Sequence, residues 1–210
     1  MIFLGISGVA GSGKDLFFKK LKKELAKINV QAERLAIADA LKSEINSITI
    51  PRYGINALSC TREEKETIRG LLVEYGTSKR KQTAGRHWID KLGEKIDALD
   101  FEEPTVVCIT DVRYAEYEKD ELHWLKEELG GKLVHISQYT YGFGGEKNYL
   151  DPANSEEERQ EPKLKKESDY RLEWQFKNGP KSEMQEYTSG KVREFLEWIL
   201  QNEKEWLERA

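Results

Sequence analysis

Met1-Ile2-Phe3-Leu4-Gly5-Ile6-Ser7-Gly8-Val9-Ala10-Gly11-Ser12-Gly13-Lys14-Asp15 is the stretch that decides the fold. Its first seven residues are an apolar run of strand length. A glycine-rich turn follows, and then 16–28 place Leu16, Phe17, Leu21, Leu25 and Ile28 at helical spacing. Strand, glycine loop and helix in that order are the context of a phosphate-binding P-loop. Gly8, Gly11 and Gly13 let the backbone turn tightly and approach a polyphosphate without Cβ clashes. The N–H groups of the loop, with Ala10 and Ser12 among its residues, and the new helix's N-terminus then face the anion. Lys14 reaches the β- and γ-phosphates as a mobile point charge. Asp15 stands where the common pattern has a Ser or Thr. A carboxylate there either holds Mg²⁺, which prefers oxygen ligands, or simply favours the positive end of the first helix.

Working outward, 210 residues suit one domain with a substantial core, taken here as 1–210. Hydrophobic residues make up 38% and charged residues 34%, which predicts a soluble, cytoplasmic protein. A formal charge of −4 provides no net basic field for nucleic acid. No stretch reads as a membrane span or a signal peptide. Cys60 and Cys108 suggest neither a disulfide nor a zinc pattern, and Cys108 lies within an apolar run as a small buried hydrophobe. His87, His123 and His135 are scattered, without metal-ligand spacing.

Strand and helix signals alternate along the rest of the chain. A second strand is expected over 30–38, running into a helix that begins near Asp39, either its N-cap or a group facing the site. Pro51 and Gly54 suggest a loop over 46–60. Thr61-Arg62-Glu63-Glu64 is a capping box opening a helix that Gly76 is expected to stop. A basic loop, 77–86, precedes a helix over 87–99 that buries Trp88, Ile89, Leu92 and Ile96. The strand 104–110 ends in Asp111-Val112-Arg113-Tyr114; a charged helix over 115–129, closed by Gly130-Gly131, and a strand over 132–137 follow. Residues 138–168 show no core period and read as either a closing lid or a solvated insertion. A last strand over 170–176, a turn at Asn178-Gly179 and a helix over 189–207 with Val192, Phe195, Leu196, Ile199 and Leu200 on one face complete the chain. Ser189-Gly190-Lys191 echoes a P-loop but lacks the upstream glycine.

This alternation predicts an α/β three-layer sandwich, a central parallel sheet of about five strands with helices on both faces. Ligands of such sheets bind at the carboxyl ends of the strands, here the P-loop, Asp39 and Asp111 to Arg113. Arg69, Arg80, Arg86 and Arg113 either form a second anion site, through planar forks that pair with phosphate oxygens, or are surface charges. Asp111 either orients magnesium's water shell or accepts a proton from the acceptor; its plain alternative is a turn or cap. A donor loop plus an arginine-lined site suggests phosphoryl transfer to a phosphorylated acceptor.

The chain resembles the phage deoxynucleoside monophosphate kinases, whose P-loop also has aspartate after the lysine, as in Ser12-Gly13-Lys14-Asp15. Ala38-Asp39-Ala40-Leu41-Lys42, Arg69-x-Leu71-Leu72-x-x-x-Gly76-Thr77 with Arg80, Arg86 and Trp88, and Asp111-Val112-Arg113-Tyr114 with Gly130-Gly131 are similar to further blocks of that family, in the same order. The resemblance implies a P-loop kinase that moves the γ-phosphate of ATP, with Mg²⁺, to a (deoxy)nucleoside monophosphate. It assigns catalysis to Lys14, Asp15, Asp111 and Arg113, the metal to Asp15 and Asp111, and the acceptor to Asp39, Lys42, Arg69, Arg80, Arg86, Trp88 and Arg113. Nucleotides are the expected partners, without nucleic acid or membrane, and a homodimer stays open. The same loop variant occurs in an animal type of phosphomevalonate kinase. A kinase for another phosphorylated metabolite and a non-catalytic ATP-binding protein are the alternatives.

Overall fold

The computed structural model describes residues 1–176 and 181–209. In chain order the elements are β1 (Ile2–Ser7), α1 (Lys14–Ala26), β2 (Gln31–Leu35), α2 (Ile37–Tyr53), α3 (Arg62–Gln82), α4 (Arg86–Asp97) and β3 (Thr105–Ile109). The short α5 (Glu121–His123) continues into a π turn, Trp124–Glu128. Then come β4 (Lys132–Tyr141), β5 (Lys147–Tyr149), α6 (Ser155–Glu167), β6 (Tyr170–Gln175), α7 (Lys181–Asn202) and α8 (Lys204–Leu207).

Five strands pair in parallel in the order β2-β3-β1-β4-β6. Central β1 sets the register, with Leu4 opposite Cys108 of β3 on one side and Lys132 of β4 on the other. Successive side chains of a strand point to opposite faces, and both faces are covered, so β1 and β3 are buried along their whole length. Ile2, Leu4, Ile6, Val106, Cys108, Val134 and Ile136 pack with α1, α7 and α8. Phe3, Val107, Ile109 and Leu133 pack on the other side with α2, α4, the π turn and Leu164 of α6. The result is the expected three-layer α/β architecture. A sixth strand, β5, pairs antiparallel with the end of β4 and was not foreseen.

Several boundaries differ from the expectation, each for a local reason. Residues 46–53 are helical: Pro51 sits in the last turn of α2, and Gly54, at φ 67°, closes it. The capping box at Thr61 forms, its hydroxyl accepting from Glu64 N at 3.2 Å and the Glu64 carboxylate from Thr61 N at 2.7 Å. Gly76 does not end α3, which runs on to Gln82 and takes up much of the expected basic loop. A glycine inside a helix costs about 1 kcal/mol. Here it admits Leu41, whose Cδ2 would stand 3.1 Å from a Cβ at position 76.

The expected helix over 115–129 starts late: 115–120 are not helical, and only 121–128, α5 and the π turn, follow the expectation. Asp120 accepts from the N–H groups of Glu116, Tyr117 and Glu121, and Glu121 from those of Arg113 and Tyr114. Carboxylates thus take backbone donors that helical carbonyls would otherwise use. Residues 138–168 are also far from structureless. β4 extends to Tyr141, and α6 buries Gln160 and Leu164. Leu16, Ile28 and Leu200 are exposed rather than on the core faces of their helices. The C-terminal helix starts earlier, at Lys181, and breaks at Glu203. The expected turn at Asn178-Gly179 lies outside the described residues. No helix of the described residues is long and apolar enough to cross a membrane.

Candidate active site

The loop between β1 and α1 is a cradle in which side chains are excluded at defined points. Gly8 has φ +136°, and a Cβ there would stand 2.3 Å from the carbonyl oxygen of Ile136. Gly13 has φ +94°, and a Cβ would stand 2.3 Å from Cζ2 of Trp174. Both positions therefore demand glycine for conformation and for space. Gly11 also has positive φ. Ser12 N closes the turn on Val9 O at 3.1 Å, and α1 begins with Gly13 at its N-cap. Trp174, on β6, braces the cradle by donating its indole N–H to Ser12 O at 2.8 Å.

The Ser12 hydroxyl is fully buried and has no hydrogen-bond partner. A buried orphan of this kind is costly unless a ligand satisfies it. Lys14 folds over the loop, Nζ donating to Gly8 O at 2.6 Å and Val9 O at 2.8 Å. Burial, and next the guanidinium of Arg113, lower its pKa to about 8, against the pull of Glu157, Asp111 and Asp15. It still carries its proton at pH 7. Asp15 is exposed in the first turn of α1, and its side chain has no hydrogen-bond partner among the described residues. Mg²⁺ is commonly held by one or two carboxylates plus substrate phosphates, and Asp15 fits that role.

Asp111 does not. Its two carboxylate oxygens accept from Ile37 N and Ala38 N, each at 2.8 Å, and so cap α2 from the end of β3. The carboxylate is committed to backbone donors rather than offered to a metal. Among the described residues, no group of three or more His, Cys, Asp or Glu side chains is arranged to hold a metal ion. Asp39 in turn is not the N-cap of α2, a position taken by Ala36. Its carboxylate pairs with Lys42 at 3.1 Å and, at 3.5 Å, with Arg34.

The arginines do not assemble as one anion site. Arg80 is buried, with Nη1 and Nη2 each 2.9 Å from the Asp120 carboxylate, Glu121 at 3.5 Å, and its guanidinium 3.4 Å from the centre of the Tyr114 ring. Despite burial, Arg80 holds Asp120 below the usual carboxylate range. Burial pushes Glu121 up to about 8 against the same guanidinium. In this structure Arg80 is thus engaged by the acidic side chains of Asp120 and Glu121, adjacent in sequence, rather than offered to a phosphate. Arg69 pairs with Glu66 on an exposed part of α3. Arg86 is tied to Asp90 at 2.7 Å and to Glu128. Trp88 is buried and donates its indole N–H to Gly76 O at 3.2 Å, which makes it a core residue. Arg113 alone of the four faces the loop. Its backbone N–H is held by Glu121 at 2.7 Å, and its guanidinium lies 3.4 Å from Glu157, whose carboxylate also accepts from Ala10 N at 3.1 Å.

Glu157 and Trp174 escaped the reading of the sequence. Asn154 followed three residues later by Glu157 is a helix-start signature, set within a segment that has no core period. Nothing in the sequence pointed Trp174 at the loop. His135 is a third surprise. It is buried beside the loop's entry, its Nδ1 3.0 Å from Ser7 Oγ, and burial lowers its pKa to about 4.

No family model matches the chain, and no curated protein does. Solved structures do match over almost the full length. A gluconokinase from Sinorhizobium meliloti is 16% identical, with 95% of each chain covered and a TM-score of 0.41. A shikimate kinase from Acinetobacter baumannii is 12% identical, with 96% of this chain and 94% of that one covered and a TM-score of 0.41. The protein TT1252 from Thermus thermophilus is 17% identical, with 93% and 97% covered and a TM-score of 0.42. At such identities and scores the likeness assigns no activity to this chain.

Proposed function

We propose that this protein is an ATP-dependent phosphotransferase that passes the γ-phosphate of ATP to a (deoxy)nucleoside monophosphate, giving the diphosphate and ADP. One observation carries the reading. The cradle from Gly8 to Lys14 combines two side-chain-excluding glycines, an orphaned buried hydroxyl on Ser12 and a protonated lysine. The glycines give the loop the close-turning backbone that presents N–H groups to a polyphosphate, and the lysine supplies the charge that holds it. The loop amides and Lys14 bind and orient the donor, and Arg113 neutralises charge on the transferring group. Asp15, with phosphate oxygens, would hold Mg²⁺, which supplies further neutralisation. The acceptor is assigned to the start of α2, the helix that Asp111 caps, whose first turns carry Asp39 and Lys42. Helix α6, which reaches Ala10 through Glu157, is the part of 138–168 suited to act as a lid.

A second reading, a kinase for another small phosphorylated metabolite, is favoured by the engagement of Arg69, Arg80 and Arg86 elsewhere. With those three withdrawn, recognition of the acceptor rests on fewer cations than a dedicated nucleotide site was expected to have. ADP release with ATP–Mg²⁺ against a panel of ribo- and deoxyribonucleoside monophosphates separates the two, with Lys14→Ala as control. Turnover on at least one monophosphate, lost in the variant, is expected. Silence across the panel with ATP still bound overturns the nucleotide acceptor and moves the search to other phosphorylated compounds.

A further inference from the structure

The Glu157 carboxylate makes an unusual set of contacts for a residue in the first turn of a helix. One oxygen accepts from the loop N–H of Ala10 and from Ala153 N, both at 3.1 Å, while the other lies 3.4 Å from Arg113 Nη1. The side chain is 12% exposed, and its charge acts on Lys14. An acidic oxygen on a P-loop amide, flanked by the loop's lysine and the facing arginine, has the surroundings that a phosphate oxygen seeks.

We propose that Glu157 stands in for a phosphate oxygen on this loop, so that polyphosphate binding must expel it and transfers Arg113 from Glu157 to the phosphate. The inference rests on the phosphate-binding reading of the loop and adds a competitor within the chain itself. Its logic is electrostatic. A lysine and an arginine brought together beside a helix N-terminus repel one another, and one carboxylate neutralises part of that charge. A polyphosphate brings more charge and more acceptor atoms than one carboxylate and displaces it. Helix α6 touches the loop through this residue, so the same exchange releases the first turn of α6 from the loop, while Gln160, Lys163 and Leu164 keep the rest of the helix in place. The effect on affinity follows from populations: a site competent for only a tenth of the time binds its ligand tenfold more weakly.

A plainer role competes with this one. Asn154 caps α6 by accepting from Glu157 N at 2.9 Å, and Glu157 completes the cap through Ala153 N. Removing Glu157 could therefore act by fraying α6, and the test must separate the two. Binding of inorganic tripolyphosphate is measured calorimetrically for wild type, Glu157→Gln, Glu157→Ala and Asn154→Ala. Glu157→Gln preserves shape and removes only the charge, so it reports even where the alanine variant folds poorly. The expected result is roughly tenfold tighter binding for both Glu157 variants, with Asn154→Ala close to wild type. Unchanged or weaker binding in Glu157→Gln, with wild type still binding, overturns the stand-in role and leaves the loop's phosphate reading intact. Equal tightening in Asn154→Ala overturns it too, because the effect then comes from the helix end. Failure of every form to bind tripolyphosphate removes the phosphate reading and this inference with it.

Discussion

The P-loop and the Arg80 network are two concentrations of charge and hydrogen-bonding capacity on either side of Arg113, and they are built in opposite ways. Around Arg80 most of the capacity is consumed. The guanidinium meets Asp120, Glu121 and the Tyr114 ring, and the two carboxyl groups accept from five backbone N–H groups. In the loop, capacity is left over: the Ser12 hydroxyl is orphaned, Asp15 is unpartnered, and Lys14 rests on carbonyls of its own loop. A satisfied network stabilises a fold, and an unsatisfied one awaits a ligand. The number of charges does not distinguish them; the number of unmet hydrogen bonds does.

The largest effect expected from this contrast is on stability. Arg80→Ala leaves the buried Asp120 carboxylate without its bidentate cation, and breaking a buried pair from one side costs about 3–5 kcal/mol. Chemical denaturation should show that loss directly. Lys14→Ala should do the reverse, abolishing ADP formation while the denaturation midpoint stays within experimental scatter of wild type or rises. An Arg80→Ala protein of wild-type stability with poor acceptor affinity would break the comparison, since it would return Arg80 to the substrate site.

A smaller effect separates the buried histidine beside the loop from the lysine in it. His135 titrates near 4 in the fold, and an unfolded histidine near 6.5. Between those values the unfolded chain binds the extra proton, so stability falls as pH drops from about 6.5 towards 4. Over pH 7 to 5 the loss amounts to about 2 kcal/mol from this residue. Urea denaturation at the two pH values should show it, and His135→Gln should reduce the difference by that amount. An unchanged pH slope in the variant would mean that His135 gains its proton without cost, through Glu161, whose Oε1 lies 3.3 Å from Nε2.

The same contrast explains what could be read from the sequence. Backbone geometry was legible: the apolar runs of β1 and β3, the glycines at 8, 11 and 13, the capping box at Thr61 and the buried face of α4 all appear where their patterns placed them. Those features depend on residues close in sequence. The arginine clamp was not legible, because the partner of a long side chain is set by tertiary structure. Arg80 finds its carboxylates forty residues away at Asp120, and Asp111 finds its backbone donors at Ile37 and Ala38 across the sheet edge. Nor could the sequence show that α6 reaches back to Ala10, since no local pattern encodes a contact spanning 147 positions. The site was visible where it is made of backbone and hidden where it is made of side chains.

The smallest effect tests whether the loop's geometry is self-sufficient. Trp174 contributes one hydrogen bond to Ser12 O and the ring surface against which Gly13 packs. Trp174→Phe keeps most of the ring and deletes the donor, a change of about 1 kcal/mol for a neutral hydrogen bond. If the loop holds its shape by its glycines alone, that loss appears in denaturation and nowhere else. If β6 braces the loop, tripolyphosphate affinity falls as well, by a factor of about 5 for each 1 kcal/mol of cradle geometry lost. The second outcome is expected, because Gly13 has little room between the helix it caps and the indole. Trp174 would then join the site as a positioning residue that acts through the loop backbone without touching the ligand.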